Sequence, residues 1–170
     1  MTLGGRRFLG LMMGDHSLAV ADVRVGGKGH EVRQTLAFPF PEGLSLEQPA
    51  ALGKALRASL RAQRFASGTV VIGLPARWVL VKEKTTPPAD AAALAGLLRL
   101  EAERDFATPP EELTLDYLEI AADEKERRVL LLAASRAKVE QSLALADAAG
   151  LRVKAVMPAL LALADADFWA

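Results

Sequence analysis

The chain has 170 residues, of which 51% are hydrophobic and 25% charged, with 21 basic and 21 acidic side chains and a formal net charge of zero. This composition is typical of a globular protein with one domain or two small lobes, and it excludes disordered and fibrous classes. Balanced charge without a long basic run argues against nucleic acid as a partner, and the absence of cysteine excludes disulfides and thiolate metal sites.

Strands separated by glycine turns are predicted at the start of the chain, which together form an antiparallel meander. They are Arg7–Gly14, Leu18–Val25 and His30–Phe40. Charged residues alternate there with valines and alanines, which predicts a solvent-exposed face that carries Asp22 and a buried face that carries Val23. A helix is then predicted to begin near Ser45 and to continue to about Arg64, because leucines recur at helical spacing.

The remainder of the chain predicts helices that alternate with strands. The predicted strands are Thr69–Leu74, Trp78–Lys84, Leu113–Ala121, Arg127–Ala134 and Leu151–Met157, and the predicted helices begin near Asp90, Ser135 and Pro158. Proline pairs end the second of these strands and the long helix, because proline has no amide hydrogen to donate. The order predicts an α/β or α+β architecture with mixed sheets.

No unbroken apolar run approaches the length of about 18 residues that a membrane-spanning helix needs. We therefore expect a cytoplasmic chain that does not itself span a membrane. The final segment, Ala159–Ala170, carries an apolar stripe. An exposed stripe of this kind predicts self-association or a partner chain.

Few residues are candidates for metal binding, catalysis or phosphate binding. His16 and His30 are the only histidines and lie in different turns, without an acidic residue at ligand spacing, so no metal site is predicted. Ser17 lacks the ordered histidine and carboxylate partners of a nucleophilic triad, so no catalytic residue is predicted. The turn formed by Gly14, Asp15, His16 and Ser17 is the one candidate, because glycine and a small hydroxyl can hold a phosphate.

Several strings of the sequence resemble the actin-like PilM family of type IV pilus assembly, which is similar in turn to GspL and FtsA. They are GLMMGDHSLAVADVR (Gly10–Arg24), VVIGLPARWVLVKE (Val70–Glu83), LLRLEAERDFATPPEELTLDYLEI (Leu97–Ile120), VLLLAASRAKVEQSLALADAAGL (Val129–Leu151) and VKAVMPALLAL (Val153–Leu163). The resemblance implies an α/β fold with an actin-like, ribonuclease-H-like core subdomain, residues 1–75 plus 151–170, and a small inserted strand-helix-strand-strand subdomain, residues 76–150. It also implies a second lobe beyond these residues, with the other phosphate loop.

The glycine turn departs from the family members that bind ATP, which read Gly-Ile-Asp-Ile-Gly-Ser with a lysine a few residues later. Met12 stands at the aspartate position, Asp15 at the serine position and Ala19 at the lysine position. A thioether is a poor ligand for Mg²⁺, and the charge of Asp15 repels phosphate. We therefore expect a degenerate phosphate turn, no cofactor and no enzymatic activity.

The resemblance implies a scaffold that is peripheral at the inner membrane in a type IV pilus or type II secretion platform. In PilM relatives, a groove between the subdomains receives a short cytoplasmic peptide of PilN. Arg77, Trp78 and Tyr117 are the predicted partner contacts, and a core position is the alternative for Trp78. The alternative function is a truncated or split actin-like ATPase that binds Mg-ATP once a second lobe completes it.

Overall fold

The computed structural model describes residues 6–26, 29–66, 68–122 and 125–161. In chain order its strands and α-helices are β1 (Arg6–Met12), β2 (Ser17–Gly26), β3 (Gly29–Pro39), α1 (Pro49–Ala62), β4 (Thr69–Leu74), β5 (Val79–Thr86), α2 (Ala91–Asp105), β6 (Leu113–Ala122), β7 (Arg127–Ser135), α3 (Arg136–Ala148) and β8 (Arg152–Pro158). They belong to two compact units. Unit 1 contains the described residues up to Ala76 and from Glu140 onward, and unit 2 contains those of the continuous segment Arg77–Val139.

Unit 1 is built on a five-stranded mixed sheet with the order β3-β2-β1-β4-β8. The predicted meander forms its antiparallel half, and β4 and β8 add to β1 in parallel. Alternate residues of the strands are buried, and so is a leucine stripe on α1. The members of this core include Leu9, Leu11, Leu18, Val20, Leu52, Leu56, Leu60, Val70 and Ile72.

The predicted orientation of β2 and β3 is wrong. Asp22 is fully buried on the core face, whereas Val25 and Val32 are 44% and 55% exposed. The carboxylate lies opposite Leu9 in the sheet, where the guanidinium of Arg7 donates hydrogen bonds to it at 2.8 and 3.1 Å. Alternation alone cannot identify which face is buried when a carboxylate is neutralised by a cation from the neighbouring strand.

Two predicted element starts also need correction. The segment before α1 forms a turn in which the Gln48 side chain accepts a hydrogen bond from the Ser45 amide, so the helix begins at Pro49 instead of near Ser45. Proline is well suited to the first helical turn, where its missing N–H has no partner to lose. Trp78 was predicted in a strand but ends a short 3₁₀ turn, and β5 begins one residue later, at Val79.

Helices α1 and α3 approach each other closely at Gly53 within unit 1. A Cβ atom added to Gly53 would lie 2.3 Å from the carbonyl oxygen of Leu145 and 2.7 Å from the Cβ of Ala148. This contact explains why the helix contains a buried glycine. It also explains why most of α3 belongs to unit 1, whereas the resemblance implies an inserted subdomain of residues 76–150.

Unit 2 contains a three-stranded antiparallel sheet, ordered β5-β7-β6, and helix α2. The Asp90 side chain caps α2 by accepting a hydrogen bond from the Ala93 amide at 2.8 Å. A leucine-rich face of α2 packs on β6 and β7, and the buried members are Leu94, Leu98, Ala102, Phe106, Leu113, Val129, Leu131 and Ala133. Strand, helix, strand, strand is the order that the resemblance implies for the inserted subdomain.

The chain after β8 is described only as far as Leu161. Most of the apolar stripe predicted in Ala159–Ala170 therefore lies outside the described residues, although Leu160 is 56% exposed. Within the described ranges, no helix is long and apolar enough to cross a membrane.

Candidate functional site

The turn predicted as a degenerate phosphate loop lies between β1 and β2, at the edge where β1, β4 and β8 end. These three strands run parallel to one another. Ligands of α/β proteins bind characteristically beyond the carboxyl ends of parallel strands. The topology therefore places the turn at the end of the sheet where ligands of α/β proteins bind.

The turn keeps its glycine for a structural reason. A Cβ atom on Gly14 would lie 2.5 Å from the carbonyl oxygen of Ser17, so a larger residue would displace the backbone. The Met13 amide donates to the Gly73 carbonyl at 2.9 Å, and the carbonyl of His16 accepts from the Phe40 amide at 2.9 Å. Asp15, like His16 and Ser17, is exposed. The four predicted residues are thus together, and phosphate binding by them stays a prediction.

Met12 and Ala19 are direct neighbours across the antiparallel pair of β1 and β2. Side chains in such a pair have Cβ atoms about 5 Å apart and point to the same face of the sheet. An aspartate and a lysine at these positions would form an adjacent charge pair at the mouth of a phosphate site. Met12, which is 39% exposed, and Ala19 provide an apolar surface instead.

The same sheet face contains a cavity of about 460 Å³ in unit 1. In the part of the chain that the structure describes, Thr35 contributes the only polar side chain of its lining, which consists of Gly10, Leu11, Met12, Ala19, Val20, Ala21, Thr35, Leu36, Ala37, Val71, Gly73 and Met157. None of the charged side chains that the structure describes lines it. Among the described residues, no group of three histidine, aspartate or glutamate side chains is arranged to hold a metal ion.

Gly73 and Met157 are site residues that the sequence analysis did not identify. Gly73 lies opposite Met12 on β1 and opposite Met157 on β8. A Cβ on Gly73 would lie 3.4 Å from both the Met12 sulfur and the Cβ of Ala159, so the glycine lets these side chains approach the sheet. Gly73 could have been identified from the sequence, because a glycine within a buried strand often marks a site where another group approaches the backbone closely.

The predicted contacts Arg77 and Trp78 lie together in unit 2. The guanidinium carbon of Arg77 is 5.9 Å from the centroid of the Trp78 ring, and the ammonium nitrogen of Lys138 is 5.5 Å from it. The half-buried indole is thus accompanied by two cations at cation–π distance. Lys138 was missed because it joins the cluster only through the fold, from the first turn of α3.

Tyr117 lies elsewhere in unit 2. It is opposite Leu131 of β7 and packs against the buried cluster under α2, whereas the strand that follows Trp78 begins opposite Ala134. The structure therefore separates Tyr117 from the Arg77–Trp78 pair along β7 and across the sheet.

Comparison with known proteins identifies a matching family and solved structures of similar fold. Residues 10–166 match the family described as type IV pilus assembly protein PilM. A solved PilM-PilN type IV pilus biogenesis complex contains a chain that is 26% identical, with a TM-score of 0.75 over 88% of this chain and 46% of that one. No curated protein gives a significant match.

A second solved structure is the cytoplasmic domain of EpsL, an inner-membrane component of the type II secretion system of Vibrio cholerae. It is 18% identical, with a TM-score of 0.62 over 92% of this chain and 59% of that one. The chain thus spans about half the length of the solved structures that it resembles. The likeness confirms the predicted fold class.

Proposed function

Because the chain belongs to the PilM family of type IV pilus assembly proteins, we propose that it is a non-enzymatic, actin-like scaffold module in the inner-membrane platform of a pilus or secretion machine. Its nucleotide site is degenerate, and its working interaction is with a cytoplasmic peptide of a PilN-like protein. The module is cytoplasmic and is held at the inner membrane through that partner.

The observation that supports a degenerate site is the cross-strand pair of Met12 and Ala19 beside an apolar cavity. Mg²⁺ requires oxygen ligands, and triphosphate requires N–H or cationic donors aimed at it. This cavity is lined by apolar side chains and the single hydroxyl of Thr35, so it supplies neither a carboxylate for Mg²⁺ nor a cation for triphosphate among the described residues. Binding energy there comes from apolar contact, and flexible methionine side chains such as Met12 and Met157 adapt to varied apolar surfaces.

Support for a PilN-like partner comes from the structural relative that was solved as a complex with PilN. Arg77 and Trp78 are the strongest contact candidates, since a half-buried indole flanked by cations offers both apolar area and attraction for a carboxylate or an aromatic ring. Tyr117 is a separate candidate on β6, an edge strand of its sheet.

Titration of the purified chain with Mg-ATP in a calorimeter tests the nucleotide half of the proposal. We expect no saturable heat up to millimolar nucleotide. The double variant Met12→Asp/Ala19→Lys, which restores the family residues, is the matched comparison. Saturable binding by the unaltered chain at micromolar nucleotide would establish the split-ATPase alternative instead.

Titration with a synthetic peptide of a PilN-like cytoplasmic N-terminus tests the partner half, with indole fluorescence and calorimetry as readouts. Replacement of Trp78 by alanine is expected to weaken binding about tenfold, the effect of losing an interface anchor of more than 1 kcal/mol. Leu100→Ala, at a side chain of α2 that is 59% exposed, is the control and is expected to bind normally. If the unaltered chain, Trp78→Ala and Leu100→Ala bind the peptide with equal affinity, Trp78 is not part of the interface.

A further inference from the structure

Positive charge is concentrated at the end of the unit 1 sheet where β1, β4 and β8 begin. Arg6 and Arg24 lie there because β1 and β2 are antiparallel and Arg6 is opposite Val25. Arg152 starts β8 opposite Thr69, the first residue of β4. The parallel and antiparallel pairings thus bring cations from three strands to one end of the sheet.

Helix α1 adds to this end, since the chain passes from the end of α1 at Ala62 into the start of β4 at Thr69. At 100° per residue, Lys54, Arg57 and Arg61 fall within about 60° of one another on the helix surface, on a side of the helix that its leucine stripe does not occupy. All three side chains are exposed, and α1 contains no acidic residue.

Arg57 and Arg61 also line a cavity of about 290 Å³ in unit 1, together with Phe65, Gly150 and Leu151. The Arg57 guanidinium lies over the Gly150 backbone, because a Cβ there would be 3.5 Å from its Cζ and Nε atoms. Gly150 has a φ of 75°, which favours glycine, and this leaves space beside the guanidinium. The two arginines are thus held at a concave surface of a size that accepts a phosphate group.

Most of these cations have no ionic partner inside the described part of the protein, although the Arg152 guanidinium donates a hydrogen bond to the Thr69 hydroxyl at 3.2 Å. Arg6, Arg24, Arg57 and Arg61 form no ion pair with any residue that the structure describes, in contrast to Arg7, which is bound to Asp22. We name the basic end by its exposed arginines: Arg6, Arg24, Arg57, Arg61, Arg64 and Arg152.

Two exposed acidic residues, Glu31 and Asp147, lie near the basic end and reduce its charge without cancelling it. Glu31 is opposite Arg24 in the sheet, and Asp147 is near the end of α3. At the opposite end of unit 1, Asp15 lies in the β1–β2 turn, and Glu42 lies in the turn that leads to α1. Although the chain has no net charge, unit 1 therefore has a positively charged end and an opposite end that carries acidic residues.

We propose that the basic end of unit 1 binds the anionic phospholipid headgroups of a bilayer, with a headgroup phosphate between Arg57 and Arg61. The cations extend across a sheet that is about 20 Å wide at about 4.8 Å per strand, so they match several headgroups at once. Single-stranded nucleic acid would require aromatic stacking surfaces, but Phe65 is half-buried and Phe8 is covered by Lys154 at 4.9 Å.

The choice of a bilayer over an acidic polypeptide rests on the proposed function, which places the module beside the inner membrane. The basic end shares no residue with the proposed peptide contacts, because its arginines belong to unit 1, whereas Arg77 and Trp78 belong to unit 2. Lipid binding and peptide binding can therefore be lost separately.

Co-sedimentation of the 170-residue chain with vesicles tests the proposal. Vesicles of phosphatidylcholine alone are compared with vesicles that also contain phosphatidylglycerol, at low and high salt. We expect binding that rises with the phosphatidylglycerol fraction and falls with added salt. The variant Arg57→Gln/Arg61→Gln is expected to bind about 25-fold more weakly, about fivefold for each charge removed.

The control is Lys82→Gln/Arg99→Gln, which removes the same charge from exposed positions of unit 2. It is expected to bind vesicles normally, and circular dichroism checks that both variants fold. No binding to anionic vesicles, equal binding to neutral vesicles, or an equal loss in the control would each overturn the proposal. Tighter binding to poly-glutamate or to single-stranded DNA at equal charge concentration would also overturn it.

The same proteins are titrated with the PilN-like peptide. Retained peptide affinity in Arg57→Gln/Arg61→Gln shows that its lipid defect is confined to the basic end. Absence of peptide binding by the unaltered chain, with vesicle binding intact, would refute the proposed partner and leave the lipid surface standing.

Discussion

Helices α1 and α2 have similar lengths and each covers a core, but charged side chains of α2 form ion pairs within their unit, whereas Arg57 and Arg61 of α1 form none with the residues that the structure describes. On α2, Glu101 and Asp105 both bind Lys84 of the neighbouring strand, at 2.8 and 2.6 Å, and these side chains are only 19–26% exposed. On α1, Arg57 and Arg61 have no ionic partner among the described residues. Charges on α2 stabilise its own unit, whereas those on α1 are available to a partner outside it.

The two helices also differ in their glycines, and this difference gives the largest expected effect. Gly53→Ala is expected to lower the free energy of unfolding by about 2–3 kcal/mol, because the added methyl group would overlap α3 backbone at Leu145. Gly96→Ala, on α2, meets nothing within 4 Å and should raise it by up to about 1 kcal/mol through helix propensity. Guanidinium chloride unfolding followed by circular dichroism measures both, and an unchanged or raised free energy of unfolding of Gly53→Ala would contradict the α1–α3 contact.

The buried carboxylate of unit 1 gives the next largest effect. Asp22→Asn is expected to lower the free energy of unfolding by about 2 kcal/mol, since it removes the ion pair while Arg7, at 41% exposure, regains water. Val32→Thr, at an exposed strand position, is the control and should change it by less than about 0.5 kcal/mol.

The contribution of Asp22 also depends on pH. Hydrogen bonds from Arg7, assisted by the charges of Arg7 and Arg33 and by the Ala66 amide, lower the pKa of the Asp22 carboxyl, although burial opposes them. A lowered pKa adds stability that is complete above the unfolded value of about 3.9 and is lost as the pH falls toward the folded value. The free energies of unfolding of the unaltered chain and of Asp22→Asn should therefore differ by a constant amount from pH 5 to 7 and converge below about pH 4. A constant difference down to pH 2 would exclude the ion pair as its cause.

The smallest effect is expected in unit 2. Lys84→Met is expected to lower the free energy of unfolding by about 1 kcal/mol, because a partly exposed ion pair contributes little and the methionine keeps the apolar stem. Hydrogen bonds from Lys84 to Asp105 and then to Glu101 raise the pKa of the lysine, so its contribution is complete below its unfolded value near 10.4 and is lost at higher pH. A loss above about 3 kcal/mol would mean that α2 depends on this pair.

Strands and helices were predictable where periodicity is local. The run Thr69–Leu74 is a strand with the predicted bounds, and α2 begins after its capping Asp90 as expected. The buried face of β2 was not predictable, because the burial of the Asp22 carboxylate depends on hydrogen bonds from Arg7, fifteen residues earlier in the chain. The glycine turn was found from its residues, but the apolar cavity beside it also needs Met157, which only the parallel return of β8 brings there.

The parallel pairing of β4 with β8 has a consequence for the order of events during synthesis. Arg152 and Thr69 are 83 residues apart in sequence, whereas every strand pairing of unit 2 lies within one continuous segment. On the ribosome, unit 2 emerges whole while the β4 edge of the other sheet still lacks its neighbour. Contacts between distant residues form slowly, so the edge of β4 stays unpaired until β8 has been synthesised, and chaperones would need to protect it during that interval.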